Sequence, residues 1–208
     1  MNNRSAEPQA RRSLHSSVVR RRIFVAVALA PALLAAVSGM RARLAEAEST
    51  LRWVPPENLH FTLKFLGGIT PPQLAGVVAA AREVAARTQR FSITLAGLGA
   101  FPSARRPRVV WVGVSSGADH LVSLAEHLDV VLRPAHASRE DRPFRPHLTI
   151  ARVRDAAPVR DLSKEIDALR ELEWGSQTVG AIRVMESHLR PSGAVYQPVE
   201  EVWLRGPA

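Results

Sequence analysis

The 208-residue chain has no cysteine, which excludes disulfide frameworks, thiolate metal sites, iron–sulfur clusters and cysteine nucleophiles. Lysine is almost as scarce. Only Lys64 and Lys164 occur, so the 28 Lys+Arg residues set against 19 Asp+Glu are nearly all arginine, and the formal charge is +9. A guanidinium holds two oxygens in one plane, which suits phosphate. The surplus therefore points to an anionic partner, although it fixes neither fold nor reaction. Heptads, zinc-finger spacings, phosphate-binding glycine loops and low-complexity tracts are all missing. Ser115, Ser116 and Ser192 lack a nucleophile-elbow setting. The apolar run Ile23–Val37 follows Arg20–Arg22 as in a secretory signal, but it falls short of the roughly 20 residues a membrane span needs and Pro31 interrupts it. It reads instead as a buried strand, Ile23–Leu29, and a helix from Pro31 to about Glu48 with Leu33, Leu34, Val37, Met40 and Leu44 on one face. A cytoplasmic location and a monomeric state are the corresponding expectations.

With 46% hydrophobic residues the chain can build one domain or two small lobes. Residues 1–20 show no hydrophobic period and read as a flexible basic arm; six arginines and one glutamate fall within residues 1–22. The domain then spans 21–205. Strands are expected at Leu59–Leu66 (closed by Gly67-Gly68), Phe91–Leu98, Val109–Val114, His147–Val153, Thr178–Leu189 and Val195–Leu204. Helices are expected from Pro71 to about Thr88, from Ala118 to about Leu132 and over Val159–Leu172. A turn-rich segment covers Gly99–Pro107, and a charged, proline-rich loop covers 133–146. Strands and helices mix without strict βαβ alternation, and the tight Arg190–Gly193 turn favours antiparallel pairing. The fold class is α+β.

One short repeat carries chemistry. His60-Phe61-Thr62-Leu63 and His147-Leu148-Thr149-Ile150 share the pattern His–apolar–Thr–apolar, one in each half. On a strand, residues i and i+2 lie on one face about 6.6–7 Å apart. Each motif then buries its apolar residues and presents an imidazole and a hydroxyl. Two such strands facing one cleft suit phosphodiester chemistry without metal: one imidazole accepts a proton, the other donates one, and the hydroxyls hold the oxygens on which charge develops. Neither motif contains a carboxylate.

The segments HFTLKFLG (60–67) and RPHLTIAR (145–152) resemble the two signatures of the two-histidine phosphoesterases, and within them the RNA 2′,3′-cyclic phosphodiesterases, also called 2′-5′ RNA ligases. The first strand, Arg22–Val27, and the stretch Leu189–Tyr196 with Trp203 are similar to that family's opening strand and closing hairpin. The resemblance spans about 21–205 and implies a two-lobed fold of pseudo-twofold symmetry, antiparallel sheets with helices outside, and a central cleft. It implies hydrolysis of 2′,3′-cyclic phosphate ends of RNA or of cyclic nucleotides to 2′-phosphates, with no cofactor and no metal. By position, His60 is the general acid for the departing 3′ oxygen and His147 the general base for water. Thr62 and Thr149 hold phosphate oxygens, and Arg152 is a phosphate-contacting arginine. The reverse reaction, 2′-5′ joining, uses the same groups. A module that binds an RNA end or nucleotide in the same cleft without turnover is the alternative.

Strand parity sets two expectations against that resemblance. An ideal strand puts Arg152 on the Leu148/Ile150 face, away from His147, unless the strand bulges. Parity puts Lys64 on the His60 face and Phe65 with the buried Phe61 and Leu63. His15, His120, His127, His136 and His188 lack partners at ligand spacing and read as surface or structural. Arg105, Arg106 and Arg108, and Arg139, Arg142 and Arg145, flank strands leading to the cleft. Phe101, Phe144 and Trp53 read as packing residues.

Overall fold

The computed structural model describes residues 19–44, 51–133, 143–154, 161–191 and 193–206. Residues 1–18 of the arm and most of the 133–146 loop, including Arg139 and Arg142, lie outside them, as do His15 and His136. The elements are β1 (Arg21–Ala28), α1 (Pro31–Arg43), β2 (Leu51–Trp53), β3 (His60–Ile69), α2 (Pro71–Arg87), β4 (Phe91–Pro102), β5 (Pro107–Ser116), α3 (Ala118–Leu132), β6 (Leu148–Val153), α4 (Ser163–Ala168), β7 (Glu173–Val179), β8 (Ala181–Arg190) and β9 (Gly193–Trp203). They form two sheets with antiparallel pairing throughout, in the orders β3-β1-β8-β9 and β2-β6-β5-β4-β7. The α+β, two-sheet architecture matches the sequence expectation.

The helices cross between lobes. α2 and α3 pack together on the first sheet, whereas α1, which follows β1 of that sheet, lies against β7 of the second, and α4 lies against β4. β1 is central and apolar on both faces, with Ile23, Val25 and Val27 buried on one side and Phe24 and Ala26 on the other. Two side-chain amides tie the crossings. Gln177 on β7 accepts from the Ala30 N–H at 2.6 Å and donates to the Ala28 carbonyl at 3.0 Å. Asn58, between β2 and β3, donates its Nδ2–H to the Ala194 carbonyl on β9 at 2.9 Å. α2 opens as its sequence suggests: Pro71 and Pro72 occupy the first helical positions, where no N–H partner is lost, and the Thr70 N–H donates to Gln73 Oε1 at 2.9 Å. No described helix is long and apolar enough to cross a membrane.

Several boundaries differ from the sequence reading, chiefly because glycine serves packing as well as turns. β3 runs through Gly67-Gly68 to Ile69, and β4 runs through Gly97 and Gly99 to Pro102. At Gly99 a Cβ would lie 2.1 Å from the Trp111 ring, so this glycine is the seat of an aromatic side chain. Conversely, the expected strand Thr178–Leu189 is two strands in different sheets, broken at Gly180. The expected helix Val159–Leu172 is described only over Ser163–Ala168.

Candidate active site

The two sheets face each other across a cleft of about 1260 Å³ that brings together His60, Thr62, His147, Thr149 and Arg152. These are the five residues singled out from the sequence, and among the described residues no Asp or Glu lines the cleft. β3 supplies the first pair and β6 with its preceding residue the second. Opposite Thr62 and His60 the neighbouring strand carries only Ala26 and Ala28, leaving open space above the motif.

The two imidazoles are held alike. His60 Nδ1 lies 2.7 Å from the Asn58 carbonyl oxygen, and His147 Nδ1 lies 2.7 Å from that of Arg145. A carbonyl only accepts, so each Nδ1 carries the hydrogen and each Nε2 is left to exchange protons. Each ring is also packed by two aromatics. Phe24 and Tyr196 stand 4.9 and 5.3 Å from His60, while Phe101 and Trp111 stand 5.1 and 6.5 Å from His147. Burial pushes the His60 imidazole below the usual histidine value, opposed by the Asn58 carbonyl, which favours the imidazolium.

Strand parity fails at the same place in both lobes, and this resolves the two sequence expectations. On β3, Thr62 pairs with Ala26 and Lys64 with Val25, so Leu63 is an unpaired extra residue. On β6, Thr149 pairs with Trp111 and Ala151 with Val110, so Ile150 is extra. Each bulge puts two consecutive side chains on the buried side and reverses the facing of the residues beyond it. Arg152 therefore turns into the cleft with His147, where ideal alternation placed it on the far face. Lys64 turns out of it. Its side chain is 4% exposed, and Nζ lies 2.6 Å from Asp129 Oδ1 on α3. Phe65, expected beside Phe61 in the core, is 61% exposed and lines the cleft.

Of the remaining candidates, His120 stacks on Phe91 at 5.1 Å, His188 lies 3.5 Å from Glu186, and His127 is exposed on α3; none reaches the cleft. Among the described residues no three His, Cys, Asp or Glu side chains gather as a metal site. Phe101 and Phe144 line the cleft, as do Arg108 and Arg145, while Trp53 packs against the core. The sequence reading assigned no role to Asn58, Tyr196 or Trp111. Their importance rests on backbone carbonyls and ring contacts that leave no mark in residue spacing.

The LigT like phosphoesterase family matches the chain twice, over residues 27–111 and 112–196, so that each match contains one His-x-Thr. An RNA 2′,3′-cyclic phosphodiesterase of Aeropyrum pernix is 37% identical over 163 residues, covering 78% of this chain and 92% of that protein. One from Aquifex aeolicus is 36% identical over 156 residues, covering 74% and 82%. A solved structure from Thermus thermophilus superposes with a TM-score of 0.76 at 29% identity, covering 90% of this chain and all of that one.

Proposed function

The chain belongs to the LigT like phosphoesterase family, and from that membership we infer that it is a hydrolase of RNA 2′,3′-cyclic phosphate ends. The observation that carries the mechanism is the pair of equally mounted imidazoles in one cleft, each held at Nδ1 and with no hydrogen-bond partner at Nε2 among the described residues. We propose that His147 Nε2 takes a proton from water as its oxygen attacks phosphorus, while His60 Nε2, protonated, gives its proton to O3′ as the P–O3′ bond breaks. One water is consumed and a 2′-phosphomonoester is left. The Thr62 and Thr149 hydroxyls donate to the non-bridging oxygens, and Arg152 balances their charge. His60 ends neutral and His147 protonated, and exchange with solvent restores both. No step calls for a metal. With the 5′ hydroxyl of a second strand attacking in place of water, the same steps give a 2′-5′ linkage; water, at its high concentration, favours hydrolysis.

Each general acid or base contributes about 10²–10⁴ in rate. Incubation with adenosine 2′,3′-cyclic phosphate in EDTA, followed by phosphorus NMR, should yield the 2′-phosphate at the full rate, and His60→Ala or His147→Ala should lose at least about 100-fold. Loss of activity in EDTA, or full activity in either variant, overturns the mechanism. Tight binding of the cyclic nucleotide with recovery of unchanged material would make the cleft a binding module instead.

A further inference from the structure

Arg52 on β2 is the direct cross-strand partner of Arg152 on β6. Directly opposed residues of an antiparallel pair share a face, with Cβ atoms about 4.5–5.5 Å apart, and like charges in that relation are destabilising. Leu51, the preceding residue, is fully buried, while Arg52 is exposed on the other side with Arg152. Its Nη2 reaches the opposite lobe, 2.9 Å from where a Cβ on Gly193 would stand, at the turn between β8 and β9. No described carboxylate pairs with either guanidinium, and none lines the cleft, although exposed arginines elsewhere do find partners, as Arg82 does in Glu200 and Arg183 in Glu201. Two cations with no described carboxylate partner, at adjacent sheet positions and one of them within the cleft, make a place for two anions side by side.

We propose that Arg52 is a second phosphate subsite, taking the phosphodiester on the 5′ side of the terminal nucleotide while Arg152 serves the cyclic phosphate, so that the preferred substrate is an oligonucleotide end over a free cyclic nucleotide. This rests on the hydrolase reading above. A mononucleotide 2′,3′-cyclic phosphate carries one phosphate and leaves Arg52 unmatched. A dinucleotide with the same terminus brings a second phosphate one nucleotide away, within the span of two long side chains rooted on neighbouring strands.

The test is the ratio of kcat/KM for the dinucleotide ApA 2′,3′-cyclic phosphate to that for adenosine 2′,3′-cyclic phosphate, measured on the full chain. Because it is a ratio, it does not depend on the fraction of a variant that folds. One charge-assisted hydrogen bond predicts a wild-type ratio of about 10–100. In Arg52→Met it falls by that factor, and in Arg52→Lys part of it returns. The logarithmic salt dependence for the dinucleotide is steeper than for the mononucleotide by about one unit in the wild type, and this difference shrinks in Arg52→Met. A ratio near one in the wild type, or a ratio that Arg52→Met leaves unchanged, overturns the subsite while leaving the catalytic reading in place. Failure of the wild type to turn over either substrate would fell the catalytic reading itself.

Discussion

Asn58 donates its side-chain amide to the Ala194 carbonyl at 2.9 Å, so the residue whose own carbonyl orients His60 is anchored to the hairpin that carries Tyr196. The His60 half of the site is thus braced from the far edge of its own sheet. Replacing Asn58 by Ala removes one neutral hydrogen bond, worth about 0.5–1.5 kcal/mol. We expect kcat to fall by about 3- to 10-fold with KM nearly constant, because the loss falls on the orientation of His60. Steady-state kinetics on a cyclic nucleotide checks this, and a rise in KM alone would contradict it.

The two histidines should separate by leaving group. A substrate whose 3′ oxygen is replaced by sulfur departs as a thiolate and needs no proton from an acid. Turnover of that analogue by His60→Ala should approach the wild-type rate, whereas His147→Ala should remain impaired. Rescue of the His147 variant in place of the His60 variant would exchange the two roles.

Burial lowers the His60 pKa in the free protein, whereas the acid role proposed for it needs the proton. As pH rises, kcat/KM should start to fall below about 6.5, the ordinary histidine value. A bound phosphate anion favours the imidazolium, so the basic limb of kcat should lie at higher pH than that of kcat/KM. Paired pH–rate profiles decide this, and coincident basic limbs would count against His60 as the acid.

Lys64 and Arg152 should behave in opposite ways. Arg152→Met removes a guanidinium from the cleft and should cut kcat/KM by about 10- to 100-fold with little change in melting temperature. Lys64→Met breaks a pair in which Asp129 keeps the more distant Arg133 at 3.7 Å. Here the cost should appear as stability, about 1–3 kcal/mol. Thermal denaturation alongside kinetics separates the two.

Gly99→Ala places a methyl group where the Trp111 ring lies. Because Trp111 and Phe101 pack on His147, we expect both a lower melting temperature and a loss of turnover, while Gly68→Ala, with nothing nearer than 3.5 Å, should leave His147 untouched. Tryptophan fluorescence would report the displaced ring.

The strands that carry the motifs were legible in the sequence because His60, Thr62, His147 and Thr149 precede the bulges, where period-two alternation still holds. Lys64, Phe65 and Arg152 come after them, and one unpaired residue reverses their facing. Nothing in Leu63 or Ile150 announces this, since a single unpaired, buried aliphatic residue looks like any other residue of a core strand. The resemblance to known phosphoesterases puts Arg152 on the cleft side, where the structure has it and where parity alone does not. The splitting of Thr178–Leu189 between sheets was hidden for a related reason: continuous β-forming sequence records extended backbone, and only tertiary contacts say which sheet receives it.

The crossing of β1 and α1 into different lobes bears on how the protein comes into being. Neither sheet can be completed from a continuous stretch of chain: the first waits for β8 and β9, and the second uses β2 yet ends with β7. During synthesis the strand that carries His60 is made early but lacks one of its two aromatic neighbours until Tyr196 emerges, and the strand that follows His147 comes after more than half the chain. A product truncated before β8 therefore lacks two strands of the first sheet and the Tyr196 ring that packs on His60. Catalytic competence in this architecture reports that the polypeptide has been finished through β9.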